Sequence, residues 1–569
     1  MNILDKIKQD LEKDLKKISL LKHENIQQTL RKPPQSSFGD ISTGICFKLA
    51  KKLKKSPNQI AEEISKKIKL SKKIPVSKFE AKDGYINFFF DYEKLSELTL
   101  KTILKQKEKY GSSKKKKEKI MIEFSQPNTN KPMHIGHARN TFLGDSLSNI
   151  LEFNGYKVIR ANYLGDTGLH IAKVILMYKM FGKNKKPDIK PDHFIGNLYI
   201  KFEKEAKKNP DLIEEAKEIL RRYEQQDKEI IKIWKKLRKW ALKGLNETYR
   251  RLKIKFDVDF FESEFEKEGK EYVKKLLEKK IAHKLKDGAV VADLEKYGLP
   301  STIILRSDGT ALYHTKDLAL GIKKFEKYKI DKSIYVVGSE QKMYLKQIFK
   351  MIELLGYKKA KQCYHLPYGL VMLPEGKMSS RKGNAVLLDN MLNELKHLAY
   401  KKIEKNNPNL SAQEKNIISE KIAIGALKYA LVKISPERNI LFNKKDVIKF
   451  EGNTGPYLQY SNVRINSILK KAKRWKQNLK NEKLTKQEKK LINKLIEFPI
   501  VVEKASSDYR PHYICNYIYE LSTIFNEFYH ACPVIKSEQK DFRLTLTKAT
   551  GIVIENGLNL LGIEIPNKM

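Results

Sequence analysis

The sequence predicts an α/β protein: a doubly wound parallel sheet with a helical insertion, preceded by an α+β unit and followed by an all-helical unit. Three observations carry this prediction. A strand-length apolar run, Ile120-Met121-Ile122-Glu123-Phe124, precedes Phe142, Leu143, Leu147, Ile150 and Leu151 at helical spacing, and Gly155 ends that helix. A second strand-like run follows from Tyr156 to Tyr163, so strand, helix and strand fall within about 45 residues, a βαβ unit with parallel strands. Ile303-Ile304-Leu305 and Ser333-Ile334-Tyr335-Val336-Val337 supply further strands, and from about residue 455 the pattern is helical throughout. In that last part Ile514, Ile518, Leu521, Phe525, Phe528 and Cys532 mark one buried stripe.

The remaining elements follow in order. Residues 1–92 open with a charged amphipathic helix and close on Gly84-Tyr85-Ile86-Asn87-Phe88-Phe89-Phe90. A basic run, 111–117, reads as a linker of Gly and Ser followed by mutually repelling charges. The sheet-bearing unit spans 118–450. Its long, charged stretch from about 180 to 300 reads as a mostly helical insertion. The helical unit covers 455–569. No period of about 20–50 residues repeats, which excludes solenoids and propellers.

Composition sets the broad class. The chain has 569 residues, enough for three to four domains at about 150 residues each. Hydrophobic residues make up 41% and charged residues 32%, which describes a folded chain with a polar surface. No apolar stretch approaches the roughly 18–20 residues that span a bilayer. The first twenty residues have neither the apolar centre of a secretory signal nor the acid-poor character of a transit peptide. Cys46, Cys363, Cys515 and Cys532 form no zinc-type spacing, and scattered thiols suit a reducing cytoplasm. These features exclude a membrane protein, a collagen and a disulfide scaffold. The net charge of +46 has two readings, a polyanionic partner such as RNA or a Lys-rich bias of the source, and charge alone does not choose.

The chemistry gathers in two segments. The first, Ser125-Gln126-Pro127-Asn128-Thr129-Asn130-Lys131-Pro132-Met133-His134-Ile135-Gly136-His137, joins the first strand to its helix. In an open Rossmann-like sheet, ligands bind there, and the helix N-terminus offers N–H groups and a positive dipole to phosphate. His134 and His137, three apart on the first turn, can reach one phosphate. Gly136 removes a side chain that would block a base or ribose. The second segment is Gly376-Lys377-Met378-Ser379-Ser380-Arg381-Lys382-Gly383, a glycine-bounded loop with three cations that suits a triphosphate and a departing pyrophosphate.

Together the segments resemble the paired signatures of class I aminoacyl-tRNA synthetases. The first matches His-Ile-Gly-His letter for letter. The second departs from Lys-Met-Ser-Lys-Ser at Ser380 and Arg381, and that ending is similar to the variant in arginyl-tRNA synthetases. Glu123-Phe124-Ser125-Gln126-Pro127-Asn128, Arg306-Ser307-Asp308-Gly309-Thr310 with Tyr313, Thr315 and Asp317, and Gly452 to Tyr460 resemble further segments of that family. So do Phe38-Gly39-Asp40 and Gly84 to Phe88, and the resemblance spans almost the whole chain. Two positions depart from the family: Thr167 stands in place of the Trp of Gly-Asp-Trp-Gly, and Tyr344 where a histidine is common. Both are expected to alter only local packing and ATP contacts.

The resemblance implies ATP-dependent activation of L-arginine and its transfer to tRNA(Arg), with Mg²⁺ accompanying ATP. It assigns catalysis to His134, His137 and Lys377. It assigns arginine binding to Glu123, Ser125, Asn128, His137, Tyr313, Asp317 and Gln341, with Tyr313 and Asp317 on the guanidinium. ATP falls to His134, Gly136, His137, Lys377, Met378, Ser379 and Ser380. Tyr85 and Asn87 are assigned to an exposed tRNA base. No metal-ligand set, no editing site and no membrane contact are expected, and a cytoplasmic monomer is. The alternatives are another class I synthetase or a non-catalytic tRNA-binding paralogue. Tyr313, Asp317 and Gln341 speak against the first, and intact His134, His137 and Lys377 against the second.

Overall fold

A computed structural model describes residues 2–182, 185–372, 386–481 and 483–569. The chain forms two compact units: Met1–Ser113 with Ser461–Glu503 and Tyr517–Gly557, and Lys114–Tyr460 with Lys504–Asn516 and Leu558–Met569. Among the described residues no helix is long and apolar enough to cross a membrane.

In the first unit, the helix Ile3–Leu15 buries Ile3, Ile7, Leu11 and Leu15, one stripe at i, i+4 spacing, and Asn2 caps it by accepting from Asp5 N–H. Its sheet is antiparallel, in the order β1 (Leu30–Arg31), β2 (Ile41–Thr43), β4 (Tyr85–Phe90), β3 (Val76–Lys82). Helices Lys486–Ser507, His512–Ala531 and Lys540–Leu560 follow late in the chain, and the expected stripe from Ile514 to Cys532 is buried at every position.

The second unit carries the parallel sheet. Strands β5 (Lys119–Glu123), β6 (Lys157–Leu164), β7 (Val258–Phe261), β11 (Lys332–Gly338) and β12 (Cys363–Tyr368) lie in the order β12-β11-β5-β6-β7. Every pairing is parallel. Chain direction across the sheet reverses between β5 and β11, which makes their C-terminal ends the topological switch point. Ile120, Met121 and Ile122 are buried, as a strand covered on both faces requires. The following helix, Ile135–Phe153, is buried along most of its length. Gly144 lets it close on the sheet: a Cβ there would stand 2.1 Å from the Phe124 ring.

Two expectations need correction. Ile303-Ile304-Leu305 does form a strand, β10 (Thr302–Leu305), but in a separate antiparallel sheet with β8 (Ala282–Lys284) and β9 (Val290–Ala292). The stretch from 180 to 300 is not simply helical either. Helices Pro191–Glu205, Leu212–Glu224 and Lys228–Leu252 build their own core around Phe202, Ala216 and Ile230, but β7 then returns to the parallel sheet as its edge. Short strands are defined by their partners, and a four-residue run carries little sign of which partner it has.

Candidate active site

The strand β5 delivers the chain to the switch point, and the loop beyond it is tightly held. Ser125 and Gln126 both adopt positive φ, +78° and +54°, which side-chain-bearing residues enter at a cost. Ser125 N–H donates to Asn140 Oδ1 at 2.8 Å and Gln126 N–H to Asn162 Oδ1 at 3.1 Å. The Ser125 hydroxyl bonds Thr141 and Tyr249. Asn128 packs on Gly165, where a Cβ would stand 2.1 Å from its Oδ1. Glu123, almost fully buried, forms an ion pair with the fully buried Lys324 and accepts from Gln126 Nε2 at 2.7 Å.

The two histidines interlock at the start of the helix. His134 is the N-cap, and its Nδ1 accepts from Gly136 N–H at 3.1 Å. His137 Nδ1 accepts from His134 N–H at 3.2 Å, and the rings stack 3.8 Å apart. With Nδ1 an acceptor in both, each neutral ring carries its proton on Nε2. Burial holds His134 down to about 4, with Lys131 adding to the effect. Burial also holds His137 well below the usual imidazole range, with His134 and Lys131 contributing. The result is two neutral N–H donors beside a helix N-terminus, an arrangement that favours phosphate oxygens.

A carboxylate cluster gathers at the ends of the same sheet's strands: Glu123 closes β5, Glu262 follows β7, and Asp317 stands on the helix Tyr313–Tyr328. Tyr313 and Asp317 sit one turn apart on it. Asp317 Oδ2 accepts from the Tyr344 hydroxyl at 2.5 Å. Burial pushes the Asp317 carboxyl up to about 6; the Tyr344 hydrogen bond opposes this and the Glu123 charge reinforces it. The expectation that Tyr344 would leave the arginine positions untouched is therefore corrected. Thr167, the other departure, also faces this region: its hydroxyl accepts from Lys316 Nζ at 2.8 Å and donates to Glu262 at 3.4 Å.

Sequence reasoning missed Glu262 and His170. Both line a cavity of about 180 Å³ together with Tyr313, Thr167, Lys316 and Arg306. Burial pushes Glu262 up to about 7, with Lys316 opposing. Buried His170 Nε2 has no hydrogen-bond partner among the described residues. Glu262 follows directly on β7, so locating that strand is the signal that would have found it.

Other assigned residues are placed differently. Gln341 is exposed, in the 3₁₀ turn Ser339–Gln341 just beyond β11. Lys377, Met378, Ser379 and Ser380 lie outside the described residues. The flanking chain is described: β13 (Val371–Met372) pairs with β14 (Ile440–Leu441), and Leu387 bridges to His134. Ile135 N–H donates to Val386 O and Leu388 N–H to Met133 O, so the chain after the second signature reaches the first. In the first unit, Tyr85 is 43% exposed and packs beside Phe47 at 4.9 Å. Asn87 is 2% exposed, held in the middle of its sheet between Ser42 and Glu80, which corrects its assignment as a surface RNA contact.

A capped His-x-x-His turn over the switch point of a doubly wound sheet defines a class I aminoacyl-tRNA synthetase site. Residues 99–443 match the family described as tRNA synthetases class I (R), catalytic domain. Residues 458–569 match a DALR anticodon binding domain and 5–90 an arginyl tRNA synthetase N terminal domain. The arginine–tRNA ligase of Treponema denticola is 41% identical over 95% of each chain, and that of Borrelia hermsii 38% identical over 99% of this chain and 100% of its own. The arginyl-tRNA synthetase structure of Thermus thermophilus superposes with a TM-score of 0.79 at 27% identity, covering 99% of this chain and 100% of its own. The chain belongs to the arginyl-tRNA synthetase family.

Proposed function

We propose that this chain activates L-arginine with ATP and transfers it to the terminal ribose of tRNA(Arg). The arginine carboxylate oxygen attacks the α-phosphorus, the bond to the β-phosphate oxygen breaks, and pyrophosphate leaves. The Nε2–H groups of His134 and His137 donate to the charge building on the phosphate, and Gly136 lets the nucleotide lie close. Lys377, with Met378, Ser379 and Ser380, holds the leaving pyrophosphate. A tRNA ribose hydroxyl then attacks the adenylate carbonyl and AMP departs. No protein nucleophile enters; positioning and electrostatics supply the acceleration.

Tyr313, Asp317 and Glu262 receive the guanidinium, a planar fork of donors that calls for acceptors on more than one side. Glu123, Asn128 and Gln341 receive the amino and carboxylate ends, with Ser125 fixing the loop between. The observation that carries the reading is the neutral histidine pair at the switch point, with Glu123, Glu262 and Asp317 gathered at the ends of strands of the same sheet.

Mg²⁺ arrives on the ATP phosphates. One possible ligand triad occurs among the described residues, Asp192, His193 and Asp389. Lys190 already donates to both carboxylates, at 3.2 and 2.6 Å, so that triad does not fit a resident dication. Segment 1–92 contacts tRNA through Tyr85, 118–450 carries the chemistry, and 455–569 meets the anticodon. A cytoplasmic monomer is proposed, a location that four unpaired cysteines suit.

Pyrophosphate exchange into ATP, run with each amino acid with and without total tRNA, tests the reading. Arginine alone should support exchange, and only with tRNA present. A response to another amino acid overturns the substrate, and equal exchange without tRNA overturns the tRNA requirement.

A further inference from the structure

We propose that Tyr344 is a specificity-determining residue: its hydroxyl, donated to one oxygen of Asp317, orients that carboxylate for a guanidinium group. The proposal rests on the reading of Asp317 as a guanidinium acceptor. It deepens that reading by naming the group that keeps the acceptor usable.

The bond joins two helices. Asp317 stands on Tyr313–Tyr328, and Tyr344 on the first turn of Lys342–Leu354. Tyr344 is braced from behind: its ring lies 4.5 Å from that of His314, whose Nε2 meets Thr302 Oγ1 at 3.3 Å. The hydroxyl therefore has little freedom to turn away. The groups acting on Asp317 come from every neighbouring element. They are Glu123 at the end of β5, Tyr163 on β6, Glu262 after β7, Tyr335 on β11, and Tyr313 and Lys324 on its own helix. Lys324 is the cation among them, and it is engaged by Glu123.

Asp317 thus sits in a buried, carboxylate-rich place where, among the described residues, the cation that acts on it is already engaged by Glu123. Left there unaided, a carboxylate takes up a proton, and a protonated carboxyl points a donor at a guanidinium that has only donors. A lysine at position 344 would prevent protonation but would quench the charge and compete with the substrate. A phenol donates a hydrogen bond and carries no charge. It stabilises the ionised carboxylate, fixes Oδ2, and leaves the full negative charge to attract the ligand. The neutral ureido group of citrulline gains nothing from that charge.

Calorimetric binding of L-arginine between pH 5.5 and 8 tests this on the full chain. Arginine itself does not titrate in that window, so an acid limb reports the protein. Wild-type affinity should fall as pH drops through the Asp317 transition. In Tyr344→Phe the limb should move up by about one pH unit, with arginine bound about fivefold more weakly near pH 6 and nearly normally at pH 8. The citrulline-to-arginine ratio of Kd should shrink by the same factor near pH 6, and ATP affinity should stay within about twofold. An unmoved limb overturns the proposal. So does a loss of arginine affinity that is equal at every pH, because that would be lost packing. Asp317→Asn separates the two layers: it should leave only the part of the limb that Glu262 contributes near 7 and weaken arginine by at least about a hundredfold. If Asp317→Asn binds arginine normally, the reading beneath the proposal fails; if it fails to bind while Tyr344→Phe matches wild type, only the role of Tyr344 is lost.

Discussion

The position of one proton on each imidazole decides what His134 and His137 can do. Gly136 N–H and His134 N–H take the two Nδ1 atoms, so Nε2–H is the donor on both rings. Burial keeps the rings uncharged near neutral pH, which removes a repulsion that two stacked imidazoliums would suffer. His134 therefore both caps the helix and serves the phosphate, and two substitutions separate these roles. His134→Ala should lose the cap, about 1 kcal/mol in urea unfolding, and about 10²–10³ in exchange rate. His134→Asn retains a capping acceptor, so its unfolding midpoint should stay near wild type while the rate still falls by at least about tenfold, because its amide is too short to replace Nε2–H. Equal rates in wild type and His134→Ala would remove this histidine from the chemistry. The Glu123–Lys324 pair beneath is a different kind of residue-scale feature: each buried charge is tolerable only because the other is present.

Elements carry the next layer, and Arg139 is where the signature helix is tied to the rest of its unit. Its side chain is fully buried and has no carboxylate partner among the described residues. Instead it donates to the carbonyls of Gly369, Leu370, Ser435, Pro436 and Arg438. Those residues immediately precede β13 and β14, so one guanidinium sets the helix against the paired strands from which the second signature departs. Arg139→Lys cannot span five carbonyls with one ammonium. It should lower stability by about 2–4 kcal/mol in urea unfolding, and at temperatures where it remains folded it should raise KM for ATP more than KM for arginine. The sequence made much of this layer legible. β5, its helix and β6 are long apolar runs bounded by Pro, Asn and Gly, and the interlocked histidines fall on a motif of fixed spacing. β7 was hidden because four residues after a long charged helix look like more insertion, and Glu262 was hidden with it. Tyr344 was recognised as a departure, but its reach to Asp317 is a tertiary contact between two helices, which no local pattern encodes. Asn87 failed for a related reason: alternation puts it on the face of Tyr85, and only the sheet as assembled reveals that this face is covered at its centre.

At the scale of the whole molecule, the question is what the excess of 114 Lys and Arg over 68 Asp and Glu is for. Many surface cations are paired, as in Lys55–Glu63 and Lys490–Glu527, and such pairs contribute little to stability. The unpaired remainder still leaves a net charge of +46, which is available to a polyanion. The two explanations open at the level of composition predict different salt behaviour. If the charge grips RNA phosphates, each neutralised phosphate releases counterions, and log KM for tRNA should rise linearly with log salt. With about six phosphate contacts, the apparent affinity should fall about 10³-fold between 50 and 200 mM salt. KM for arginine should barely change over the same range, because its recognition lies in a buried pocket shielded from screening. If the lysines merely reflect a bias of composition, the tRNA slope should be shallow and should resemble that for arginine. Aminoacylation measured across that salt range, with arginine saturating in one series and tRNA in the other, gives both slopes from one preparation, and a flat tRNA series would assign the charge to composition alone.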